Sequence, residues 1–411
     1  MKELLTRVTR CRVCGSEHLS KYLDLGLMPI ANNFGETSQE AKSKMRFPLE
    51  VLFCNQCGLS QLSVVVAPEK MFCYYTYRSS INKGYIKHCE NMAKNLIPRF
   101  NLNYNTFHID IGGNDGTLLL EFHKLLSHRM LNIDPSNNLT KVARQRGVTS
   151  MALFWGTSIA AKIYASVDII TATNVFAHLN NVSEFMTACR SVMQSYSILV
   201  IENPYIIDFI DNMEFDTIYF EHMSYWGVLP MLALCDKYNL KLIAAEHQEI
   251  HGGSMRYIIA KDDSHYTPST EIEKVKQQEI DRSFDKLSGY VEWANKVHKS
   301  ILAFKNNLIN LVSQNKTIIA FAASAKGNTL LNSAGIDSTI IECIIDETPE
   351  KIGKFYPGNG IPIVSIDYIM KIVPDYIVIL SWNFKDEIID KVKKLGYKGK
   401  FIIPISEWQI V

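Results

Sequence analysis

A glycine-rich turn between two apolar segments constrains the fold of this chain more than any other feature. The sequence GGNDG occupies residues 112–116, follows the apolar segment FHIDI and leads directly into TLLLEF. A similar alternation of strand-like and helical stretches extends from about residue 84 to residue 261. Strands separated by helices predict an open, mostly parallel sheet that binds its ligand at the carboxyl ends of the strands. We therefore predict an α/β fold for this region.

The spacing of the glycines distinguishes two classes of nucleotide cofactor. A dinucleotide fingerprint reads G-x-G-x-x-G, and residues 112–116 depart from that spacing. Asp134 nonetheless ends the next strand, where a carboxylate can accept hydrogen bonds from both ribose hydroxyls of an adenosine. A third strand ends at Asn174. This order resembles the class I S-adenosylmethionine methyltransferases, whereas the glycines alone are equally typical of a structural turn in an unrelated α/β domain.

The resemblance to class I methyltransferases implies where the cofactor binds. The glycine turn lets the backbone approach the methionine part, the acid after the second strand holds the ribose, and the end of the third strand lies nearby. The implied cofactor-binding residues are Asp110, Gly112, Gly113, Asn114, Asp115, Gly116, Asp134 and Asn174.

Two C-x-x-C pairs near the N-terminus predict a zinc site. The pairs are Cys11 with Cys14 and Cys54 with Cys57, out of nine cysteines in the chain. Each pair places two sulfurs on one tight turn, and two such turns supply the four thiolates that zinc binds as a tetrahedron. Four thiolates leave no position for a substrate water, so we predict a structural zinc. The alternative is a pair of unrelated turns.

Acid–base side chains gather in two later segments. The segment FDTIYFEHMSYW contains Tyr219, Glu221 and His222, and His178 follows the third strand of the α/β region. A histidine beside a carboxylate and a phenol can act as a base near neutral pH and can stabilise an oxyanion. Packing of satisfied side chains is the alternative interpretation. The segment HGGSMR adds the candidate substrate-binding residues His251, Ser254 and Arg256.

The C-terminal third predicts a second, smaller Rossmann-like unit. A polar helical connector reaches about residue 314, and KTIIAFAASAKGNTLL then gives a strand, a small-residue turn and a helix. This turn can offer backbone N–H groups, Lys326 and Asn328 to a phosphate, unless Lys326 is simply a solvated surface lysine. We predict domains at 1–70 (zinc-binding), 71–265 (cofactor-binding) and 266–411 (Rossmann-like).

Composition narrows the class of partner. The chain of 411 residues is 47% hydrophobic and 21% charged, with a net charge of +1. This balance argues against a nucleic acid or an anionic membrane surface as partner, and no stretch approaches the roughly 20 apolar residues of a membrane span. The N-terminus also lacks the apolar core of a secretory signal. We expect a cytoplasmic monomer that acts on a small molecule.

Ten stretches in one order resemble the sugar C-methyltransferases that act on nucleotide-linked keto-deoxysugars. This family resemblance spans nearly the whole chain. It implies a zinc-bearing N-terminal domain, a central S-adenosylmethionine domain, and a C-terminal domain that helps hold the nucleotide sugar. The matching stretches are the paired cysteine turns with LDLGLMPIANNF, YYTYRSSINKGYIKH, DIGGNDGTLLLEF, TATNVFAHLNN, ENPY, EFDTIYFEHMSYW, HGGSMR, SAKGNTLL, KFYPGNGIPI and SWNF.

The same resemblance implies a reaction and roles for individual residues. The typical substrate is a TDP-4-keto-6-deoxy or 2,6-dideoxyhexose, methylated at C3 through an enolate. His222 is the implied base, with Glu221 orienting it and with Tyr219 and His178 contacting the sugar or the enolate. Aromatic residues that close over the site match Tyr75 and Tyr77.

The chain departs from the family pattern at two positions and leaves two other functions open. Phe220 replaces a histidine before the Glu-His pair, and Ala322 replaces a glycine in the C-terminal turn. An O- or N-methyltransferase acting on another metabolite needs no acidic carbon and would depend less on His222. A zinc-bearing scaffold without catalysis would fail to bind S-adenosylmethionine.

Overall fold

The computed structural model describes residues 5–66, 78–405 and 408–411 of the chain. Within these ranges the strands form a two-stranded pair and three larger sheets, one in each third of the chain. None of the helices in the same ranges combines the length and the apolar character of a membrane-spanning segment.

The N-terminal region forms an antiparallel sheet, in which β2 and β4 follow the two cysteine turns along the chain. Strands β2, β3 and β4 pair in that order, and β1 pairs with β5. Residues of β3 alternate between buried and half-buried, as expected of a sheet with one face in a core. The elements are β1 (Leu5–Arg7), β2 (Leu19–Pro29), α1 (Ser38–Lys42), β3 (Arg46–Cys54), β4 (Ser60–Leu62) and β5 (Val64–Val66).

The central region is a seven-stranded sheet in the order β12-β13-β10-β9-β6-β7-β8, in which β13 runs antiparallel to both of its neighbours and the other pairs are parallel. This arrangement confirms the predicted mostly parallel α/β sheet. Its strands are β6 (Phe107–Ile111), β7 (Arg129–Ile133), β8 (Ser150–Met151), β9 (Val167–Thr173), β10 (Met193–Pro204), β12 (Leu240–Gln248) and β13 (Ser254–Lys261). The helices of this region are α2 (Lys83–Arg99), α3 (Thr117–Leu126), α4 (Asn137–Gln145), α5 (Thr157–Ala160), α6 (Val182–Val192), α7 (Ile206–Asp211) and α8 (Val228–Lys237).

Both faces of the central sheet are buried, which explains the continuous apolar runs in the sequence. In β10, Leu199 and Ile201 pack in the main core, whereas Ile198 and Val200 pack in a second core beneath α2. Alternate residues of a strand point to opposite faces, so a strand covered on both sides needs apolar residues at every position.

A short strand of the central region belongs to the N-terminal sheet. Strand β11 (Ser224–Tyr225) pairs antiparallel with β4. The N–H of Leu62 also donates to the carbonyl of Met223 at 3.0 Å. The residues that precede β11 are therefore held against the cysteine-rich region.

Two connector helices join the central sheet to the C-terminal region. They are α9 (Glu271–Asp281) and α10 (Leu287–Ser313). The buried carboxylate of Glu279 accepts hydrogen bonds from the N–H groups of Val228 and Leu229 at 2.6 and 3.0 Å, and from the Tyr205 hydroxyl at 3.0 Å. An acid at the N-terminus of α8 is favoured by the free N–H groups there, so Glu279 fixes the connector on the central region.

The C-terminal region is a smaller sheet in the order β16-β15-β14-β17-β18-β19, parallel except for the last pair. The predicted second Rossmann-like unit is thus confirmed. Its strands are β14 (Ile318–Phe321), β15 (Ile344–Ile345), β16 (Ile363–Val364), β17 (Tyr376–Ile379), β18 (Lys400–Ile403) and β19 (Gln409–Ile410), and its helices are α11 (Ala325–Ala334), α12 (Ile369–Ile372) and α13 (Lys385–Lys394).

The turn after β14 contains a residue in a conformation that favours glycine. Ala322 has φ +76°, and its N–H donates to the carbonyl of Ile345 at 2.7 Å. An L-residue in this left-handed region is strained because its Cβ approaches backbone oxygen. The family resemblance implies glycine at this position. The backbone of Ala322 is therefore strained where a glycine would not be.

Ala322→Gly is expected to stabilise the protein by about 1 kcal/mol, since the relief of left-handed strain exceeds the extra entropy of a glycine in the unfolded chain. Chemical denaturation of both proteins measures the change. Ala303→Gly is the matched control, because Ala303 is exposed in the interior of α10 and its replacement should destabilise by about 1 kcal/mol. A destabilised Ala322→Gly variant would contradict the assignment of strain.

Candidate active site

A cavity of about 600 Å³ opens at the carboxyl ends of β6, β7 and β9. The residues that follow these three strands line it, as does part of the segment between α7 and β11. The C-terminal region contributes Lys326 and Asn383. Of the residues predicted from sequence, the cavity brings together Gly112, Gly113, Asn114, Asp134, Asn174, His178, Tyr219, His222, His251 and Lys326.

The glycine turn after β6 needs glycine for two reasons. Gly112 has φ +65°, and an added Cβ would lie 2.2 Å from Cγ2 of Val175. An added Cβ at Gly113 would lie 2.4 Å from Oδ2 of Asp110. The backbone here is therefore packed directly against neighbouring side chains on one side and faces the cavity on the other, which lets a ligand approach the peptide groups.

Asp110 lies behind this turn. Its Oδ1 accepts a hydrogen bond from the Thr171 hydroxyl at 2.6 Å, and burial raises the pKa of its carboxyl to about 7. Its Oδ2 has no hydrogen-bond partner among the described residues. Asp110 supports Gly113 from below and does not line the cavity.

Asp134 is held in place by the turn that follows β7. Its Oδ2 accepts from the N–H of Asn114 at 3.0 Å and its Oδ1 from the N–H of Ser136 at 2.8 Å. Each carboxylate oxygen has a further lone pair, and the residue lines the cavity. The carboxylate is thus oriented to accept hydrogen bonds from a vicinal diol.

The far wall of the cavity contains an aromatic pair that the sequence analysis missed. Phe154 and Trp155, which follow β8, line the cavity on the side of Asp134 and Ser136. The signal was present as LFW in the sequence, but a short aromatic run is typical of packing as well. The aromatic pair, the acid at Asp134 and the glycine turn fit the adenine, the ribose and the amino-acid part of S-adenosylmethionine, respectively.

Besides Asp110, two more predicted cofactor-binding residues lie outside the cavity. Asp115 is fully buried, forms an ion pair with Arg146 at 3.0 Å and accepts from the Thr117 hydroxyl at 2.6 Å. Gly116 has φ +77° and packs on Val148 at the start of α3. Both residues fix the helix after the glycine turn, so they support the cofactor site and do not line it.

His222 lines the same cavity as the glycine turn and has a defined tautomer. Its Nδ1 is 2.7 Å from the carbonyl oxygen of Thr217, which can only accept, so Nδ1 carries the proton. Its Nε2 therefore accepts from the Tyr219 hydroxyl at 2.9 Å. Burial lowers the pKa of His222 well below its ordinary range. The imidazole is neutral, and its Nε2 lone pair can take a proton once the Tyr219 hydroxyl turns away.

The expected orienting role of Glu221 is wrong, because its carboxylate points away from His222. Its Oε1 accepts from the side-chain amide of Asn32 in the N-terminal region at 3.2 Å, and its Oε2 has no partner among the described residues. Burial raises the pKa of this carboxyl. Neighbours in sequence point to different sides of this irregular segment, and the carbonyl of Thr217 orients the imidazole instead.

His178 lies beside His222, with 4.9 Å between ring centroids. Its Nδ1 donates to the backbone carbonyl of Glu221 at 2.6 Å, and burial lowers its pKa. The two neutral imidazoles form one polar wall with Tyr219. Phe220 points away from this wall, since its ring packs edge-on against Phe47 of the N-terminal region at 5.9 Å.

The C-terminal region adds a charged group to the same wall. Nζ of Lys326 lies 3.9 Å from Oε2 of Glu214 and 4.7 Å from the ring centroid of Trp382. Burial raises the pKa of the Glu214 carboxyl to about 7. The sequence analysis missed Glu214 and Trp382, because neither belongs to a recognisable motif.

Three predicted substrate-binding residues are buried outside the cavity. Arg256 forms an ion pair with Glu202 at 2.8 Å, the Ser254 hydroxyl donates to the carbonyl of Ile250 at 3.2 Å, and the Asn328 side-chain amide donates to the carbonyl of Pro357 at 2.9 Å. These side chains complete the local fold of β13 and α11 and do not meet a ligand in this cavity. Tyr75 and Tyr77 lie outside the described residues.

The four predicted metal ligands converge. The sulfurs of Cys11, Cys14, Cys54 and Cys57 all lie within 4.8 Å of one another. Zinc–sulfur bonds of about 2.3 Å place tetrahedral sulfurs about 3.8 Å apart, so the cluster fits one zinc ion. These cysteines do not line the cavity. However, β4 follows Cys57 in the chain and pairs with β11.

Three family models match the chain in order. A "Putative zinc binding domain" matches residues 11–72, a "Methyltransferase domain" matches residues 109–201, and a "C-methyltransferase C-terminal domain" matches residues 249–406. The C-methyltransferase NovU of Streptomyces niveus is 27% identical over the full chain and 99% of its own length.

Solved structures resemble the central part of the chain. One is the magnesium protoporphyrin IX methyltransferase of Synechocystis PCC 6803 with bound S-adenosylmethionine, at 12% identity and a TM-score of 0.33 over 43% of this chain and 80% of that one. Another is an S-adenosylmethionine-dependent methyltransferase of Clostridium acetobutylicum, at 9% identity and a TM-score of 0.35 over 43% and 92%. The family models, the cavity and the sulfur cluster confirm the two predicted cofactors, S-adenosylmethionine and zinc.

Asp134→Asn is expected to weaken cofactor binding about tenfold, because the neutral amide replaces one of two charge-assisted acceptors for the ribose. Calorimetric titration with S-adenosylhomocysteine measures this dissociation constant. Asp263→Asn, at an exposed position, is the matched control and should bind normally. Unchanged binding by Asp134→Asn would place the ribose elsewhere.

We expect about one zinc ion per chain in the wild-type protein and a loss of this zinc in Cys54→Ser. The variant should also have a lower kcat, because β4 connects the metal cluster to the segment before β11. Metal analysis by mass spectrometry and steady-state kinetics measure both effects. Cys343→Ser, a buried cysteine outside the cluster, should keep its zinc. Full zinc content in Cys54→Ser would remove this cysteine from the ligand set.

Proposed function

Because the chain is a member of the S-adenosylmethionine-dependent C-methyltransferases, we propose that it methylates C3 of a nucleotide-linked 4-keto-6-deoxy or 4-keto-2,6-dideoxyhexose, with TDP as the nucleotide. The observation that carries this proposal is a neutral base in the cofactor cavity. His222 lines this cavity, with its Nδ1 proton donated to the Thr217 carbonyl at 2.7 Å and its Nε2 accepting from the Tyr219 phenol at 2.9 Å. A methyltransferase acting on a hydroxyl or an amine has less need of such a base.

The proposed reaction begins with removal of a proton. The Tyr219 hydroxyl first turns from Nε2 of His222 to the C4 carbonyl oxygen of the sugar, which frees the single lone pair of Nε2. The ketone at C4 makes the C3 proton acidic, and Nε2 takes this proton while the C–H electron pair forms the enolate. The Tyr219 hydroxyl then stabilises the enolate oxygen.

The remaining steps follow from the arrangement of the cavity. S-adenosylmethionine, when bound, supplies a sulfonium methyl group to the C3 carbon nucleophile and departs as a neutral thioether. The residues that hold it, at the glycine turn and Asp134, line the same cavity as His222. The neutral His178 imidazole donates its Nδ1 proton to the Glu221 carbonyl, so its Nε2 can act towards the sugar only as an acceptor.

The distal end of the substrate is assigned to the C-terminal region. Lys326 and Asn383 line the same cavity and come from the turns after β14 and β17. Turns at the carboxyl ends of parallel strands commonly bind the phosphates of nucleotides. We place the nucleotide of the substrate there.

His222→Ala is expected to abolish methylation and deuterium uptake at C3, because the variant lacks the imidazole that takes the C3 proton. The test uses the purified protein, S-adenosylmethionine and an enzymatically generated TDP-4-keto-6-deoxysugar, with and without the 2-hydroxyl, in deuterated water. NMR and mass spectrometry follow the sugar, and cofactor binding is measured in parallel.

His298→Ala is the matched control, since His298 is exposed on α10 and far from the described cavity lining. It should retain full activity. If the wild-type protein binds the cofactor and methylates none of these sugars, the acceptor class is wrong, and O- and N-linked acceptors become the next candidates. If His222→Ala still exchanges the C3 proton, the base is another residue.

A further inference from the structure

The segment that carries His222 has little regular structure of its own. Between α7 and β11 the chain forms only one short 3₁₀ turn, Phe215–Thr217. Yet this segment contains both the imidazole and the carbonyl that sets its tautomer. Irregular backbone keeps a fixed geometry only when surrounding groups satisfy and hold it. The question is which groups hold this one.

Two side chains of the C-terminal region bind this segment directly. The Thr329 hydroxyl on α11 donates to the carbonyl of Ile218 at 2.8 Å, and Nε1 of Trp382 donates to Oδ2 of Asp216 at 2.8 Å. Thr329 and Asp216 are both buried. Hydrogen bonds that exclude water hold their geometry well, since breaking one leaves a buried polar group without a partner.

The two contacts flank the group that orients the base. Thr217 lies between Asp216 and Ile218, and its carbonyl accepts the Nδ1 proton of His222 at 2.7 Å. Loss of either flanking contact removes a restraint on the peptide that carries this carbonyl, and leaves its Ile218 N–H, which donates to the carbonyl of Phe215 at 3.1 Å, as the nearest remaining one. Rotation of that peptide would allow the imidazole to change tautomer and would leave Nε2 protonated and unable to act as a base.

Trp382 also contacts the group assigned to the distal substrate. Lys326 places Nζ 4.7 Å from the Trp382 ring centroid, and Asn383, the next residue, lines the cavity. The Trp382 indole therefore contacts Lys326 with its ring face and donates its N–H to Asp216, in the segment that carries His222. A ligand that moves Lys326 or Asn383 acts on the same side chain that fixes Asp216.

We propose that Trp382 and Thr329 are positioning residues, through which the C-terminal region holds the Thr217 carbonyl and so sets the tautomer and orientation of His222. This inference rests on the proposed function, in which His222 is the base. It gives the C-terminal region a second role. Besides holding the distal part of the substrate, this region positions the base that abstracts the proton.

The variants that test it remove one hydrogen bond each. Trp382→Phe keeps an aromatic face for Lys326 and loses only the N–H donor, and Thr329→Val keeps the shape and loses the hydroxyl. Thr329→Ser restores the donor. Trp408→Phe is the matched tryptophan control, because Trp408 packs on Phe304 on another side of the C-terminal region.

We expect Trp382→Phe and Thr329→Val each to lower kcat and the rate of deuterium uptake at the sugar carbon by about tenfold, because small displacements of a catalytic group are costly. KM and cofactor affinity should change less than about twofold, and Thr329→Ser should recover most of kcat. The lower limb of the kcat profile against pH should also shift, since it reports the titration of the base. Trp408→Phe should match the wild-type protein in every measurement.

Other outcomes separate this inference from the proposed function. A rise in KM with unchanged kcat would show that Trp382 only supports substrate binding, and equal losses in Trp408→Phe would reduce the effect to general stability; either result overturns the inference. If His222→Ala abolishes deuterium uptake while Trp382→Phe and Thr329→Val leave it intact, the inference fails and the proposed function stands. If His222→Ala retains uptake, the base is another residue and this inference falls with that assignment; the proposed function itself fails only if the wild-type protein methylates none of the sugars.

Discussion

The geometry of His222, the proposed base, depends on a segment of backbone that is held from two sides. The C-terminal region contributes the hydrogen bonds of Thr329 and Trp382. The N-terminal region contributes the pairing of β4 with β11 and the contact between Asn32 and Glu221. The central sheet binds the cofactor but supplies only part of this support. A single Rossmann-like domain would leave the segment without most of its partners.

Through this support the zinc cluster can influence a segment that it does not contact. The cluster holds the turn that precedes β4, and β4 pairs with β11, which begins two residues after His222. Phe220 strengthens the same junction, because its buried ring packs against Phe47 of β3. A histidine at position 220 would place a polar ring in this apolar contact, at a free-energy cost. The residue that departs from the family pattern thus suits the junction that it occupies.

Sequence reasoning succeeded where function is encoded in local spacing. The glycine turn, the acid after the second strand and the cysteine pairs are each short patterns, and their placement follows from the backbone geometry that they require. Sequence reasoning failed where the direction of a side chain determines which groups it contacts. Arg256 lies in a motif beside the cavity, but on β13 it faces the buried Glu202. Glu221 is adjacent to the base in sequence and faces Asn32. Trp382 is distant in sequence, and only the packing of two domains brings it to Asp216.

The electrostatics of the cavity explain why Lys326 is more than a phosphate ligand. Its ammonium lies 3.9 Å from Oε2 of Glu214. Burial raises the pKa of the Asp216 carboxyl, and the charge of Lys326 opposes that rise. A diphosphate that approaches Lys326 competes with these carboxylates for the same charge. Burial has already raised the pKa of Glu214 to about 7, so that carboxyl can take up a proton when the lysine turns to a stronger anion. In the proposed complex, binding of the anionic nucleotide sugar is thereby linked to a proton at Glu214, while His222 stays neutral. Under that proposal the cavity holds a charged nucleotide at one end and an uncharged base at the other.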